Sequence, residues 1–456
     1  MAAETNLVEV PLSFPPAVAN SSGSCVVDID KTLAENENGS EPPASGEAAA
    51  RRQRERHSIY RVPEYMKKMT NSDAYQPQLV SLGPFHHGEP ALQPMEAHKR
   101  RAVARVVHRS GKPQQELVAA VEEIAEQLRD AYENLDEEWR GERFVELMVT
   151  DGCFLLDMIW TFRHEEEEEV YGSDDPVYSK HGCLYLKDYV ISDMLVIENQ
   201  LPLLLLQRLK FVAGPDTFPD EDGDIHHWVI QLLSYVITPI TPVDDMGLHP
   251  LDVLQKSISV TRRNREGSME GSDHMPSAAE LHDSGINFEV SIGSGFAGTV
   301  SFERGVLRVP KIVLYGNAER AFLNLMAFER LHPGARNDVN AFVWFMDELI
   351  NTPKDVRLLR SKGIIDSGMG SDEAAADLIN NTITSGAVMD RDNSLYDVLA
   401  EVDAYCKKPW NSWRANLIHT YFSNPWVFIS LVAATTLLIT ALIQTVYSVL
   451  SFNKKS

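Results

Sequence analysis

Two adjacent histidines and two nearby ionisable residues are the first candidates for chemistry. His86 and His87 are neighbours, and Glu96 and His98 follow shortly after them. Imidazole nitrogens and carboxylate oxygens bind zinc and transfer protons, so a metal or acid–base cluster is one interpretation. The other is structural, because HHGEP has the glycine and proline of a turn, where histidines often bond the backbone. The ligand spacing is not diagnostic. We therefore predict a structural role and no metal site.

Two further carboxylates are predicted to be buried. Asp151 lies on the apolar stripe of a predicted helix, and Glu198 ends an equally apolar stretch. A buried carboxylate must be hydrogen-bonded, paired or protonated. One interpretation is a hydrolase-like acid–base pair with separated pKa values. The preferred interpretation is a structural polar cluster that satisfies loose helix ends, formed by Asp151, Glu198, Asn199 and Gln200. The weak catalytic candidates are His86, His87, Asp151 and Glu198, and we assign a catalytic role to none of them.

Motifs for familiar enzyme classes are absent from the sequence. Gly293 to Gly298 satisfies GxGxxG, but the residues that follow, TVSFERGVLRV, predict a strand where a dinucleotide site needs a helix. There is no phosphate-binding GxxxxGK[ST], no GxSxG, no HExxH and no kinase motif set. We therefore predict no cofactor, and an enzymatic activity is disfavoured.

Composition excludes further classes. The formal net charge of −24 argues against nucleic-acid binding, which needs a basic surface. The 44% hydrophobic content over 456 residues predicts a sizeable globular core. The four cysteines form no CxxC pair, which favours reduced thiols over a disulfide framework or a zinc site.

Apolar periodicity predicts a mainly helical fold. Gln114 to Trp139 has the spacing of an amphipathic helix, and Arg143 to Phe162 predicts a more apolar, central helix. Tyr189 to Val212 predicts two helices, because Pro202 interrupts the stretch and would open the second helix. Thr352 and the residues PKD after it predict a capped helix start, and Gly363 its end.

One region has strand character instead. Between Phe288 and Tyr315, valine, isoleucine and phenylalanine alternate with polar or small residues around Glu303-Arg304-Gly305. This pattern predicts a small antiparallel β element built on a hairpin.

The C-terminal stretch predicts a membrane anchor. From Trp426 to Leu450 no residue is charged, and about 20 apolar residues suffice for a helix to cross a bilayer. Aromatic residues near its ends and Lys454-Lys455 beyond it suit the membrane interfaces. The hydroxyl side chains and Gln444 within it can support self-association, although bonds to their own helix carbonyls are the preferred interpretation.

The prediction is therefore a tail-anchored, single-pass protein. The N-terminus has neither a basic start nor an apolar run, so it does not resemble a secretory signal peptide. We expect the bulk of the chain to face the cytosol, with the anchor in the endoplasmic reticulum or plasma membrane.

Several sequence blocks resemble a plant family, the domain-of-unknown-function 247 family, also called uncharacterised protein family 0481. The similarity runs from about His57 to Phe452, with longer loops than the family pattern. The blocks that resemble it are IYRVP (Ile59–Pro63), YQPQLVSLGPFHHG (Tyr75–Gly88), MEAHK (Met95–Lys99), DGCFLLD (Asp151–Asp157), DMLVIENQLP (Asp193–Pro202), LMAFER (Leu325–Arg330), FMDELINTPKDVRLL (Phe345–Leu359) and YFSNPW (Tyr421–Trp426). The resemblance implies a plant membrane protein with a C-terminal anchor and implies no activity, although some grass members resemble self-incompatibility determinants.

Together these observations predict a disordered polar arm over 1–56, a mainly helical family domain over 57–422, an anchor over 423–452 and a tail over 453–456. The leading functional prediction is a membrane-anchored recognition or signalling-scaffold protein that acts through protein contacts. A hydrolase-like enzyme and an oligomeric membrane-permeabilising protein are the alternatives.

Overall fold

We describe the chain from a computed structural model. The residues it describes are 57–164, 175–219, 223–234, 236–237, 245–259, 274–291, 300–390, 393–408 and 425–453. The predicted arm over 1–56, the glycine motif at 293–298 and the tail beyond 453 lie outside these residues.

The described chain is mainly helical, as predicted, and it contains two small sheets. The α-helices, in chain order, are α1 Glu64–Met69, α2 Gln93–Ser110, α3 Gln114–Glu122, α4 Ala125–Asp130, α5 Glu142–Arg163, α6 Lys180–Met194, α7 Leu203–Ala213, α8 Ile225–Leu233, α9 Pro250–Ile258, α10 Ala278–Asp283, α11 Ala318–Leu331, α12 Asp338–Leu349, α13 Pro353–Ser361, α14 Asp372–Asp377, α15 Ser394–Cys406 and α16 Pro425–Asn453. Short 3-10 turns lie at Ser72–Tyr75 and Glu137–Trp139, and a π-helical segment at Leu378–Ile383.

Helix α5 is the centre of the first half of the fold. It is buried on nearly every side from Phe144 to Phe162, as its apolar sequence predicts. Helices α2, α3, α7 and α8 pack around it. The predicted helix over 114–139 is instead three pieces, because the chain turns at Ile124 and leaves helical geometry again before Glu137.

Helix α11 has the corresponding position in the second half. It packs against α9, α12 and the π-helical segment, while α10 and α14 contact α13. Helix α13 begins with the predicted capping box between Thr352 and Asp355. Gly363, with φ +75°, follows its last turn in the left-handed conformation that commonly ends helices.

The sheets are only partly as predicted. The strands are β1 Asn287–Val290, β2 Ser301–Glu303, β3 Val306–Val309, β4 Ile312–Leu314 and β5 Ile365–Ser367. Strands β2 and β3 form the predicted hairpin, and positive φ at Arg304 and Gly305 matches a tight two-residue turn. However, β1 joins β3 in parallel, and β4 pairs in parallel with β5 in a separate sheet. The prediction of a purely antiparallel element is therefore wrong.

The prediction of a transmembrane anchor is also wrong. Trp426 and Leu450 lie within one 29-residue helix, α16. Nevertheless, no helix among the described residues combines the length and the apolarity that crossing a membrane requires. The described part of α16 includes threonines and Gln444, which lower its hydropathy, and Thr436 and Thr445 bond carbonyls of their own helix. The predicted localisation, a single-pass protein anchored at its C-terminus, is therefore also wrong.

Candidate functional site

A segment without regular structure, residues 76–83, crosses the buried interior next to α5 and α6. We call it the strap. Its backbone amides make no strand ladder, yet Val80, Ser81 and Leu82 are almost fully buried. Buried N–H groups need acceptors, and side chains from α5, α6 and the connection after α6 provide them. Two of the sequence-predicted polar residues, Asp151 and Asn199, are among these side chains.

Asp193, near the end of α6, binds the first part of the strap. Its Oδ1 accepts the N–H of Gln78 at 2.7 Å, and its Oδ2 accepts those of Leu79 and Val80 at 2.8 Å each. Burial raises the pKa of this carboxyl, while the three amides and Arg320, 3.9 Å away, lower it. Asp193 therefore fixes three consecutive amides with one side chain.

Asp151, on α5, binds the other end of the strap and a buried lysine. Its Oδ2 accepts the N–H of Gly83 at 2.8 Å, and its Oδ1 lies 2.8 Å from Lys99 Nζ. That ammonium also donates to Ser81 Oγ at 3.0 Å and lies 2.7 Å from Glu96 Oε1. Lys99 and Asp151 are both fully buried. Burial raises the pKa of Asp151, and Lys99 is the largest opposing influence.

The two amide side chains satisfy the end of α6 and its connection to α7. Asn199 accepts the N–H of Leu82 at 2.7 Å and donates to the carbonyls of Val80 and Asp193. Gln200 donates to two carbonyls at the end of α6 and just after it, and accepts the N–H of Leu251 at 3.0 Å. These bonds occupy both the oxygen and the nitrogen of each amide.

Glu198 lies among other partners. Its Oε1 accepts the N–H of Val62 and is 2.8 Å from Lys67 Nζ. Its Oε2 is 3.5 Å from Nε2 of His86, whose Nδ1 is 2.6 Å from Glu89. The structure thus brings Glu198 to His86, whereas Asp151 is bonded to Lys99 and the strap.

The remaining histidine candidates have separate surroundings. His87 lies edge-on to Trp139, with ring centroids 5.5 Å apart. His98 Nδ1 is 3.2 Å from Arg101, and its pKa is lowered by partial burial and then by that guanidinium. Glu96 pairs with Lys99. The residues of the predicted cluster, His86, His87, Glu96 and His98, therefore each contact a different partner and do not form one site.

Comparison with known proteins decides the family. A family model described as a plant protein of unknown function, DUF247, matches residues 59–440. The chain belongs to the DUF247 family. It is 28% identical to a UPF0481 protein of Arabidopsis thaliana over 432 residues, which covers 86% of each chain. A putative UPF0481 protein of the same plant is 21% identical over 488 residues, covering 85% of this chain and 89% of the relative. No solved structure matches the present chain.

Sequence reasoning missed two central residues of this DUF247 chain. Lys99 falls on the buried stripe of α2 with Met95 and Val103, so helical spacing already placed a charge among apolar neighbours. Asp193 interrupts the apolar residues at the end of α6 in the same way. A lone charge on an apolar stripe was the available signal for both.

The arrangement in this DUF247 chain is suited to holding an irregular segment in place. The oxygens of Asp151 and Asp193 are occupied by backbone amides or by Lys99. Carboxylates with such partners stabilise the chain that donates to them. The His86–Glu198 contact is the one part of the candidate set with an acid–base geometry, and both groups are 3% exposed.

Proposed function

We propose that this protein is a recognition or signalling-scaffold protein that acts through protein contacts. One observation carries the proposal: the first turns of α6 present an apolar face to solvent. Leu184 is 75% exposed, Tyr185 62% and Tyr189 50%. Most large apolar side chains of α5 and α7, in contrast, are buried. Tyrosine-rich apolar surfaces are characteristic of the centres of protein interfaces.

The spacing on α6 aligns these rings. His181, Tyr185 and Tyr189 recur every four residues, which places them in a row along one side of the helix. The rings of His181 and Tyr185 are 4.9 Å apart. Leu184 lies beside this row. We call these four residues the α6 face.

The start of α6 is also fixed in place. Ser179 caps the helix by accepting the N–H of Gly182 at 3.0 Å. Gly182 approaches the backbone of Pro176 so closely that a Cβ there would lie 2.5 Å from its carbonyl oxygen. A preorganised surface loses less conformational entropy on binding, which favours a docking role. The expected partner is a protein with an apolar groove that accepts aromatic side chains.

Proximity labelling in the protein's own tissue tests this proposal. The full-length chain is compared with a variant in which Leu184, Tyr185 and Tyr189 are all changed to alanine. Tyr65→Ala is the matched control, because Tyr65 is 64% exposed on α1, outside the α6 face. Exposed substitutions of this kind change stability by about 0.5 kcal/mol or less each, so both variants should melt within a few degrees of the wild type.

The expected result is a defined set of proteins lost with the α6 variant and kept with Tyr65→Ala. A member of that set should bind the purified wild-type chain, and at least tenfold more weakly the α6 variant, a loss of about 1.4 kcal/mol. Identical labelling by all three proteins would contradict the proposal.

A hydrolase-like function is the second candidate, and the His86–Glu198 contact is the observation that favours it. An imidazole between two carboxylates can serve as a general base. If this candidate were correct, His86→Gln would abolish turnover of a substrate found by screening while leaving labelling by the α6 face unchanged.

A further inference from the structure

A second group of ionisable side chains lies away from the strap, at the start of α8. One ligand atom each from Asp224, His226 and His227 lies within 4.8 Å of the other two. Asp224 precedes the first residue of α8, and the two histidines lie in its first turn. Sequence analysis had selected none of the three.

The donor set suits a divalent transition-metal ion. Two imidazole nitrogens and one carboxylate oxygen are the ligands of many three-ligand zinc sites, with bonds of about 2.0–2.2 Å. Tetrahedral bonds of that length place ligand atoms about 3.3 Å apart, so the present spacing requires a contraction of about 1.5 Å at most. Asp224 and His227 are exposed and can make this adjustment by rotating their side chains.

The third ligand is held by the fold. His226 is only 4% exposed, and α8 packs against α5, α7 and α9. Trp228, in the same helix, is fully buried. Lys210 Nζ, on α7, lies 3.3 Å from the carbonyl of Gly223, the residue before Asp224. One fixed histidine with two adjustable ligands can bind a metal without unfolding any element.

A pocket of about 420 Å³ opens beside these ligands. Asp224 and His226 both contribute to its wall, together with Lys210, Phe211 and Met246. Zinc sites with three protein ligands keep a fourth position for water or a bound molecule. The ammonium of Lys210 would favour an anionic oxygen there.

We propose that Asp224, His226 and His227 form a binding site for a divalent transition-metal ion of the zinc class, with its fourth coordination position open to this pocket. The site is independent of the α6 face, and its occupant and chemistry are separate from the proposed protein contacts.

Titration of the full-length, chelator-treated protein with Zn²⁺ tests the site. Isothermal titration calorimetry should show one saturable equivalent, and Co²⁺ should give the visible absorption of a tetrahedral complex with nitrogen and oxygen ligands. Asp224→Ala and His227→Ala should each weaken Zn²⁺ binding by at least about tenfold, the lower end of what loss of an outer-shell partner costs. Both residues are exposed, so the metal-free variants should melt like the wild type.

His108→Ala is the matched control, because this histidine is exposed on α2 and outside the cluster. It should leave the affinity and stoichiometry for Zn²⁺ unchanged. Unchanged binding in the Asp224→Ala/His227→Ala double variant, equal weakening by His108→Ala, or no saturable equivalent in the wild type would each overturn the proposal.

Discussion

Removing either charge of the buried Lys99–Asp151 pair should destabilise the fold severely. In Asp151→Leu, the Lys99 ammonium loses its fully buried partner, and the Gly83 amide loses its acceptor. Breaking a buried pair from one side costs about 3–5 kcal/mol. Glu96 remains 2.7 Å from the ammonium, so we expect the lower end of that range, about 3 kcal/mol.

Lys99→Met should cost a similar free energy of unfolding, because it leaves the carboxylate with only a backbone donor. The double variant Asp151→Leu/Lys99→Met contains neither charge. Its remaining defects are the unpaired amide of Gly83 and the loss of the Lys99 partner of Glu96, which together cost about 1–3 kcal/mol. The double-mutant cycle should therefore give a coupling energy of about 3–5 kcal/mol.

Urea denaturation of the full-length chain measures these differences. Trp139 and Trp228 are buried, so tryptophan fluorescence reports the loss of the core. Lys311→Met is the control, since Lys311 pairs with Asp366 at the surface, and its loss should cost under about 1 kcal/mol. Additive single effects, or an Asp151→Leu midpoint equal to that of Lys311→Met, would refute the assignment of a structural role to Asp151.

The pH dependence gives an independent check. Burial raises the pKa of Asp151, and Lys99 opposes this rise. In Lys99→Met the pKa should therefore be higher still, so the folded state takes up a proton more readily than the unfolded chain. Its stability should fall as pH rises above the ordinary aspartate range, and the cost of the substitution should be smaller near pH 4 than at pH 7. A cost independent of pH would mean that Asp151 stays uncharged in the wild type.

Three further predictions concern other parts of the fold. Burial lowers the pKa of His249 to about 4, so stability should fall by up to about 3 kcal/mol as pH drops from 6.5 to 4, and His249→Gln should flatten that part of the melting profile. Asp355→Ala removes the acceptor for the Thr352 amide and should lower the free energy of unfolding by about 1–3 kcal/mol in urea, whereas Asp355→Asn should lose less. Deleting residues 2–50 should leave the melting temperature of the domain unchanged, but deleting 2–66 should cause aggregation, and equal melting would show that the first family block does not belong to the core.

Local features of the fold were predictable because each depends on neighbours in sequence. The capping box at Thr352 and the break at Pro202 follow from backbone chemistry within one helical turn. The hairpin at Arg304-Gly305 likewise follows from a short alternating pattern. Helix α5 could be identified because its apolar residues continue on every side.

Non-local pairings could not be predicted in this way. Strand β5 joins β4 across about fifty intervening residues, and no periodicity within either strand specifies that partner. The pairing of Lys99 with Asp151 could not be predicted for the same reason, since α2 and α5 come into contact only when the core folds. The polar residues around Pro202 were recognised, but Asp193, which accepts three amides of the strap, was not. The membrane prediction treated the threonines and Gln444 of the C-terminal stretch as compatible with a span, whereas no helix among the described residues has the length and apolarity that crossing requires.

The strap also constrains the order in which this protein can fold during synthesis. The amides of Val80 and Leu82 have no acceptor until Asp193 and Asn199 have left the ribosome, more than a hundred residues later. The carbonyl of Ala74, just before the strap, gains its donor only when the side-chain amide of Asn324 has been synthesised. Such distant closures slow folding and leave apolar segments exposed on the nascent chain. The family block Tyr75–Gly88, which contains the strap, should therefore need chaperone protection until α11 is complete.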